Sequence, residues 1–387
     1  MDKTGKERVM SLRTGLAAAA LVAWASTGAI AQGDATQGDG QDGLNILKPF
    51  TYVQTNLVSN APGVARTTDP ALFDAWGIAF SPSNPFWISD RGAGLSTLYD
   101  GTGAKIPATF TIPQAGGTAQ PTGMVWNGTG HFMVPGTSLP ATFIFSTLNG
   151  TLSAWAPGET TSPLSAVTAV DNSKMPGGAI YTGIEIGITE AGAFLYAPNI
   201  ATGRIDVFDA SFAPANGKLP GSFVDRSVPP GYTPFNIRNI DGNLVVTYAR
   251  QNATRNFVTP GAGYGYVAIF ATDGTLLRHM AGGGLLNAPW GVARAPAGFG
   301  ALSGKILIGN FGDGHILAFD EGQPVASLML GTNGLPTRIP GLWALTFGGA
   351  AKADPRTLFF TAGPDGGQQG LFGSIQAAVP NGPAVSW

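Results

Sequence analysis

The side chains of this chain that could bind a ligand or a cation are carboxylates, amides and guanidinium groups spread over most of its 387 residues. The candidate ligand-binding residues are Asp90, Arg91, Glu185, Asn199, Asn236, Arg238, Arg250, Asn310, Asp313 and Asp365. Gathered at one place, such groups could bind a small polar molecule or a protein partner. For each of them the alternative is structural, because Asx and arginine side chains often fasten tight turns.

Composition excludes several other kinds of chemistry. The chain has no cysteine, which excludes disulfides, thiolate metal sites and cysteine nucleophiles. Its formal charge of −2 gives no basis for a nucleic-acid partner. No catalytic residue is assigned from the sequence.

The elements that would position the candidate side chains are short strands in a repeating pattern. Each repeat opens with a small residue between bulky ones, and successive repeats begin about 50 residues apart. These small residues are Gly77, Gly123, Gly183, Asn236, Gly291 and Ala344. Each repeat continues with short runs rich in Val, Ile, Phe and Thr between turn residues, which is typical of β-strands. The pattern predicts an all-β fold, a six-bladed β-propeller of four-stranded antiparallel blades over residues 49–378.

The two ends of the repeat array are expected to meet. The last repeat supplies three strands, and a strand-like segment from Phe50 to Val58 precedes the first repeat. Pairing this N-terminal strand as the outer strand of the last blade would close the ring and cover an exposed sheet edge. A free β-arm is the alternative.

The repeat also predicts where the candidate residues lie. In a propeller, the loops that enter the inner strands and those that join strands two and three share one face, so most of the candidates are expected around the axial mouth. Glu185 and Arg238 lie two residues past the small position in adjacent repeats. They are therefore expected to form an ion pair beside the central channel, with a structural role favoured over ligand binding.

The recurring aromatic residues and the histidines are not assigned to a site. The aromatic residues at one repeat position are Trp76, Phe235, Trp290 and Trp343, and packing between blades is favoured over a platform for a sugar or a base. The histidines are His131, His279 and His315, which fall in different parts of their blades. They therefore predict neither a zinc cluster nor a catalytic triad.

The first 31 residues are expected to be a secretory signal peptide. Met1 to Ala31 has a basic start, an apolar run from Gly15 to Trp24 and the small-x-small ending Ala29-Ile30-Ala31. Residues 32–48 are predicted to be a flexible spacer, and residues 379–387 a C-terminal tail. The mature chain is expected to be exported, periplasmic or extracellular, monomeric and without an integral membrane segment.

Six short segments carry a resemblance to known proteins. They run from Trp76 to Phe80, Phe86 to Asp90, Pro234 to Ile240, Asn287 to Val292, Gly309 to Gly314 and Gly370 to Ile375. They resemble a family of exported bacterial proteins related to NHL-repeat six-bladed β-propellers. The resemblance implies the fold and export. The family has no established activity, so no catalytic residue is carried over.

We interpret the sequence as an exported propeller that binds a small polar ligand or a protein partner at its axial mouth. The cofactor is unknown: the sequence requires none, and Ca²⁺ is possible. The alternative is a metal-assisted hydrolase at the same mouth. Propellers that resemble lactonases hold a divalent cation with inner-strand carboxylates and amides, and oxygen ligands suit Ca²⁺. The residues that could supply them are Glu185, Asn199, Asn236 and Asn310, although Arg238 would repel the cation.

Overall fold

The computed structural model describes residues 51–82, 84–114, 117–158, 163–320 and 326–378. The predicted signal peptide (1–31), the spacer (32–48) and the C-terminal tail (379–387) lie outside the described residues.

Six sheets follow one another along the chain, as the repeat predicts, and form a six-bladed β-propeller. They are antiparallel except for one parallel pair between the N-terminal strand and the two-residue strand that follows it. The strands are β1 (Tyr52–Ser59) and β2 (Thr67–Thr68); β3 (Ala75–Ala79), β4 (Phe86–Asp90), β5 (Leu95–Tyr99) and β6 (Lys105–Thr111) in blade one; β7 (Pro121–Trp126), β8 (Phe143–Thr147), β9 (Thr151–Trp155) and β10 (Val167–Asp171) in blade two; β11 (Glu185–Thr189), β12 (Gly192–Asn199) and β13 (Arg204–Asp209) in blade three; β14 (Tyr232–Ile240), β15 (Asn243–Arg250), β16 (Gly265–Phe270) and β17 (Leu276–Gly282) in blade four; β18 (Pro289–Arg294), β19 (Ile306–Asn310), β20 (Ile316–Phe319) and β21 (Ala326–Leu328) in blade five; and β22 (Leu342–Phe347), β23 (Leu358–Ala362) and β24 (Leu371–Ala377) in blade six. Single helical turns occur at Gly300–Leu302 (a 3₁₀ turn) and at Pro364–Gly367 (α1). Within each blade, strands that are consecutive in sequence are neighbours in the sheet.

The glycines at the small position of the repeat lie where neighbouring inner strands pass close to one another. A Cβ atom on Gly77 would lie 2.3 Å from the carbonyl oxygen of Thr122, and one on Gly123 would lie 2.7 Å from Cα of Gly183. A Cβ on Gly291 would lie 2.7 Å from the carbonyl oxygen of Trp343. These distances are shorter than van der Waals contact, so the inner strands can approach the axis only with glycine at these places.

The N-terminal strand closes the ring, and the predicted closure is confirmed. Strand β1 pairs antiparallel with β24, from Tyr52 opposite Ala377 to Ser59 opposite Leu371, with a bulge between Asn56 and Val58. The strand begins two residues later and ends one residue later than the predicted segment. Sheet edges left open invite pairing with other chains, and β1 covers the edge of β24.

Blade three departs from the other five. Its sheet has three strands, and a single bridge between Phe208 and Pro214 stands in the place of an outer strand. Proline has no N–H for a ladder, and Ala215 N donates to Val207 O at 2.7 Å instead. Its inner strand β11 also begins only at Glu185, beyond the small residue Gly183.

The core lies between the blades. Trp87 of blade one packs on Phe143 and Trp155 of blade two, with ring centroids 4.5 and 4.8 Å apart. On the other side of the same blade, Phe86 packs on Phe359 of blade six at 4.5 Å. Because successive strand residues point to opposite faces, each blade buries both faces against its neighbours.

Candidate functional site

The central channel is almost completely filled. The inner strands leave a cavity of only 10 Å³, whose lining includes Gly77, Gly123, Asn236, Arg238 and Ala344. That volume is about the minimum that one water molecule requires. A ligand therefore has to bind at an end of the channel and not inside it.

Glu185 and Arg238 form the ion pair that the repeat predicts. Arg238 Nη1 lies 3.6 Å from Glu185 Oε2. The carboxylate of Glu185 also accepts the backbone N–H groups of Ile186 at 3.0 Å and Asn239 at 3.1 Å. Burial raises the pKa of Glu185, while the Arg238 guanidinium and the two N–H groups oppose the rise. The pair ties β11 of blade three to β14 of blade four.

The candidate amides are buried and bind the backbone. Asn199 Oδ1 accepts the N–H of Ile180 at 3.2 Å, and Asn310 Oδ1 accepts the N–H of Asn287 at 3.1 Å. Both residues end the second strand of a blade and hold the loop that enters the inner strand. Asn236 Nδ2 donates to the carbonyl of Trp290 at 2.7 Å. These amides act as turn and strand fasteners.

The structure does not assemble the calcium ligands of the alternative interpretation. The oxygens of Asn199 and Asn310 accept backbone N–H groups, Glu185 pairs with Arg238, and the hydrogen bond of Asn236 to Trp290 is donated by its Nδ2. Within the described ranges, no group of three or more His, Asp or Glu side chains could hold a metal ion.

Asp90 is a buried acid without a cationic partner. It ends β4 at the place that Asn199 and Asn310 occupy in blades three and five, and it is fully buried. No Lys, Arg or His of the described residues forms an ion pair with it. Burial raises the pKa of Asp90 well above its usual value, and the nearby carboxylate of Asp69 adds to the rise. Asp90 therefore keeps a proton in the folded protein at pH values where the unfolded chain has lost it.

We expect this proton to make stability fall as pH rises. From the unfolded pKa of about 4 up to the raised folded pKa, Asp90 alone lowers the free energy of unfolding by up to about 1.4 kcal/mol per pH unit. Asp90→Asn has no such proton. Its free energy of unfolding should therefore rise relative to that of the wild type as pH increases across this window. The measurement is urea unfolding between pH 4 and 9, and a constant difference between the two proteins would contradict the account.

Asp69→Asn is the companion substitution to Asp90→Asn, and its expected effect at neutral pH has the opposite sign. Asp69 binds Lys105 Nζ at 2.7 Å and the hydroxyl of Tyr99 at 2.6 Å. Its pKa is lowered, because these partners outweigh the effect of burial. The same substitution should therefore destabilise the protein at neutral pH.

A larger cavity, here called the mouth cavity, lies at the end of the channel that the sequence indicates. It has a volume of 220 Å³ and is lined by Asp74, Trp76, Arg91, Leu148, Phe257, Phe311, Trp343, Gly363, Gly366 and Gly367. Most of these residues lie in loops that join the second and third strands of blades one, two, four, five and six. Trp76 and Trp343 come from inner strands, and Asp74 directly precedes β3.

Stacked aromatic rings form the apolar part of the mouth cavity. Phe311 stacks on Trp343 with centroids 4.1 Å apart, and Trp343 stacks on Trp76 at 3.5 Å. Phe257 meets Trp76 edge-on at 6.2 Å and Phe311 edge-on at 5.9 Å. The two tryptophans are buried, whereas Phe257 and Phe311 are half-buried. Offset and edge-on pairs of this kind add stability beyond the area they bury.

One ion pair forms the charged part of the mouth cavity. Arg91 Nε donates to the carboxylate of Asp74, which also accepts Trp343 Nε1 at 3.4 Å. Burial raises the pKa of Asp74, and the Arg91 guanidinium opposes the rise. A Cβ on Gly363 would lie 1.8 Å from Asp74 Oδ1, and one on Gly367 would lie 2.7 Å from Arg91 Nη2. The loop of blade six can therefore cover this pair only with glycine at these positions.

The mouth thus differs from the predicted ring of polar groups. Arg91 lines the mouth cavity, whereas Asn236 and Arg238 line the channel. Arg250 is exposed, with its guanidinium carbon 4.5 Å from the ring centroid of Tyr264.

The remaining acidic candidates lie in turns. Asp313 accepts Asn287 Nδ2 at 3.2 Å and the N–H of His315 at 3.1 Å. Asp365 is exposed and accepts Gln369 Nε2 at 2.6 Å. Neither of them lines the mouth cavity.

Sequence reasoning missed Leu148, Phe257 and Phe311. Leu148 and Phe311 directly follow strand two, at the repeat position that Arg91 occupies in blade one, so the repeat could have indicated them. Phe257 lies seven residues beyond β15 in a longer loop and has no such counterpart. The inner-strand aromatics do pack together, as predicted, and two of them also line the mouth cavity.

In the part of the chain that the structure describes, no helix is long and apolar enough to cross a bilayer.

Comparisons with known proteins identify relatives without a stated activity. No family model matches the chain. "Uncharacterized protein R648" of Acanthamoeba polyphaga mimivirus is 35% identical over 346 residues, which cover 85% of this chain and 83% of the relative. "Uncharacterized protein L690" of the same virus is 30% identical over 333 residues, covering 84% of this chain and 86% of the relative. Both relatives are viral and give no support to the expected family of exported bacterial proteins.

A solved structure supports the fold. A structural genomics protein of unknown function from Bacteroides thetaiotaomicron matches with a TM-score of 0.51 at 12% identity, covering 84% of this chain and 76% of that protein. Likeness at this level of identity concerns the architecture alone.

Proposed function

The chain belongs to the same family as the mimivirus proteins R648 and L690, and we propose that its propeller is a binding module whose site is the mouth cavity. The observation that carries the proposal is the mouth cavity itself, which has a volume of 220 Å³ and is lined by stacked aromatic rings. Concave, mostly apolar sites with a few polar groups are the usual form of small-molecule sites in proteins.

The size of the mouth cavity limits the ligand. An apolar cavity of about 150 Å³ holds benzene, whereas sites for drug-sized ligands have about 300–1,000 Å³. A volume of 220 Å³ therefore suits a molecule of one or two rings, or one apolar side chain of a protein partner. The channel beyond it, at 10 Å³, offers no further space.

Binding accounts for the lining better than catalysis does. The ionisable side chains that line the mouth cavity are Asp74 and Arg91, and they bind each other. Proton transfer requires an acid or a base that is free to reach the substrate. The calcium-assisted hydrolase gains no support, because none of its four ligand residues lines the mouth cavity.

Binding of benzyl alcohol tests the proposal. We expect saturation-transfer NMR to show binding to the wild type, and Leu148→Trp to abolish it, because a larger side chain at this position fills the mouth cavity. Leu164→Trp is the matched control, since Leu164 is 55% exposed and does not line the cavity. An absent wild-type signal, or equal signals from all three proteins, would contradict the proposal.

We also propose that the chain is exported, and the composition of residues 1–31 supports this. Expression of the full sequence in a bacterium should yield a chain that begins at Gln32 outside the cytoplasm. Mass spectrometry of the fractionated protein measures this. An intact Met1 end in the cytoplasm would contradict it.

A further inference from the structure

We propose that the ligand of the mouth cavity is an aromatic carboxylate, whose ring packs among the aromatic side chains and whose carboxylate binds Trp76 and Arg91. This inference rests on the proposed function of the same cavity and specifies its ligand class.

The indole N–H of Trp76 is a buried hydrogen-bond donor without an acceptor among the described residues. Trp76 is 1% exposed and lines the mouth cavity, and its Nε1 has no hydrogen-bond partner among the described residues. The tryptophans at the same repeat position are satisfied: Trp290 Nε1 donates to Thr182 O at 2.9 Å, and Trp343 Nε1 donates to Asp74 Oδ1 at 3.4 Å. A buried donor without an acceptor is costly, so an acceptor that enters the cavity would gain this hydrogen bond.

The guanidinium of Arg91 is held in one orientation by its neighbours. Its Nε is held by Asp74, and its Nη1 lies 3.5 Å from Gln120 Oε1. The described residues provide no acceptor for Nη2. Gly367 lies beside this nitrogen, where any larger residue would collide with it. A guanidinium fixed in this way presents its remaining N–H groups to a carboxylate without losing further side-chain entropy.

The unpartnered polar groups of Trp76 and Arg91 are hydrogen-bond donors and not acceptors. Two side chains of this lining, Trp76 and Arg91, keep a polar group without a partner among the described residues, and these groups, Nε1 and Nη2, are both donors. The carboxylate of Asp74 is already bound by Arg91 and Trp343. An ammonium ligand would face the Arg91 charge, and the Asp74 carboxylate beside it is only 1% exposed, whereas a carboxylate can accept from both donors.

The apolar lining of the mouth cavity consists of flat aromatic rings. Phe311, Trp343 and Trp76 form a continuous stack, and Phe257 stands nearly perpendicular to the rings of Phe311 and Trp76. A flat ring can extend such a stack or meet an edge, which a branched aliphatic group cannot do as closely. Together the four features select a planar aromatic acid.

Three ligands of one size test the charge preference. Calorimetric titration at pH 7 should show benzoate binding at least about tenfold more tightly than benzyl alcohol, since a charge-assisted hydrogen bond strengthens binding by this much or more. Benzylamine should not bind detectably. Equal affinities for benzoate and benzyl alcohol would overturn the carboxylate inference while the binding proposal stands, and failure of both ligands to bind would overturn both.

Matched substitutions locate the two donors. Trp76→Phe removes the N–H and keeps a ring, and Arg91→Gln removes the charge; each should weaken benzoate binding about tenfold or more and weaken benzyl alcohol binding much less. Trp290→Phe and Arg250→Gln are the controls, because neither residue lines the mouth cavity. Benzoate binding that both mouth variants leave intact would overturn the inference. Arg91 is partly exposed, so its variant remains informative if Trp76→Phe folds poorly.

Discussion

Replacing Val58 by aspartate should remove about 4 kcal/mol or more of the free energy of unfolding. Val58 is fully buried on the closing strand β1, and it packs in one core cluster with Phe86, Tyr99 and Phe372. Loss of the valine costs about 1.5–3 kcal/mol, and an unpaired buried charge adds several more. Domains are typically stable by only about 5–15 kcal/mol, so this one residue should decide whether the ring closes.

Gln54→Asp on the same strand is the control for Val58→Asp. Gln54 is exposed and pairs through its backbone with Ile375, so the same charge there should change stability by less than about 0.5 kcal/mol. Urea unfolding followed by tryptophan fluorescence gives both values. Equal stability of the two variants would mean that β1 does not close the ring. We also expect Val58→Asp to associate in size-exclusion chromatography, because an unpaired β24 is an open edge.

Trp343→Ala should destabilise the propeller by about 3–5 kcal/mol, the usual range for deletion of a buried tryptophan. The side chain is 3% exposed and stacks between Trp76 and Phe311. Its N–H also binds Asp74, the partner of Arg91. The substitution would therefore loosen the aromatic and the charged parts of the mouth cavity together.

Trp126→Ala is the matched comparison for Trp343→Ala. Trp126 is 38% exposed at the end of β7, so its removal should cost less than about 1 kcal/mol. Urea unfolding compares the two variants directly. A loss for Trp343→Ala as small as that for Trp126→Ala would show that the aromatic stack does not hold the inner strands together. Near-ultraviolet circular dichroism should also lose the signal of the Trp76–Trp343 pair in the first variant alone.

The repeat predicted those parts of the fold that depend on strand geometry. Small residues such as Gly77 and Gly123 mark the inner strands because neighbouring backbones leave no room for a Cβ. Side chains at equal distances from these positions occupy equal places in successive blades. For this reason the alignment also predicted that Glu185 and Arg238 would meet, and they do.

The character of the mouth could not be predicted in the same way. Its lining comes largely from loops, where alternation along a strand no longer fixes the direction of a side chain. Phe257 and Phe311 reach the mouth cavity from loops of different lengths. The polar candidates Asn199 and Asn310 instead bind the loop that enters the inner strand of the same blade. A sequence pattern identifies residues that could bind a ligand, but it does not show which backbone groups compete for them.

Asp90 illustrates a further limit. It takes the place of Asn199 and Asn310 in the repeat, so its position was predicted correctly. Its consequence was not predicted, because complete burial without a paired cation depends on tertiary packing and not on the repeat position. Burial raises its pKa, so it contributes to the pH dependence of stability, and it does not line the mouth cavity.

The central claim is that the mouth cavity binds an aromatic acid, and a crystal soaked in 4-bromobenzoate tests it most directly. We expect one anomalous bromine peak among Phe257, Phe311 and Trp343, with the carboxylate in hydrogen-bonding distance of Trp76 Nε1 and Arg91 Nη2. An empty mouth cavity at a concentration that saturates the protein in solution, or a bromine peak elsewhere, would contradict the claim.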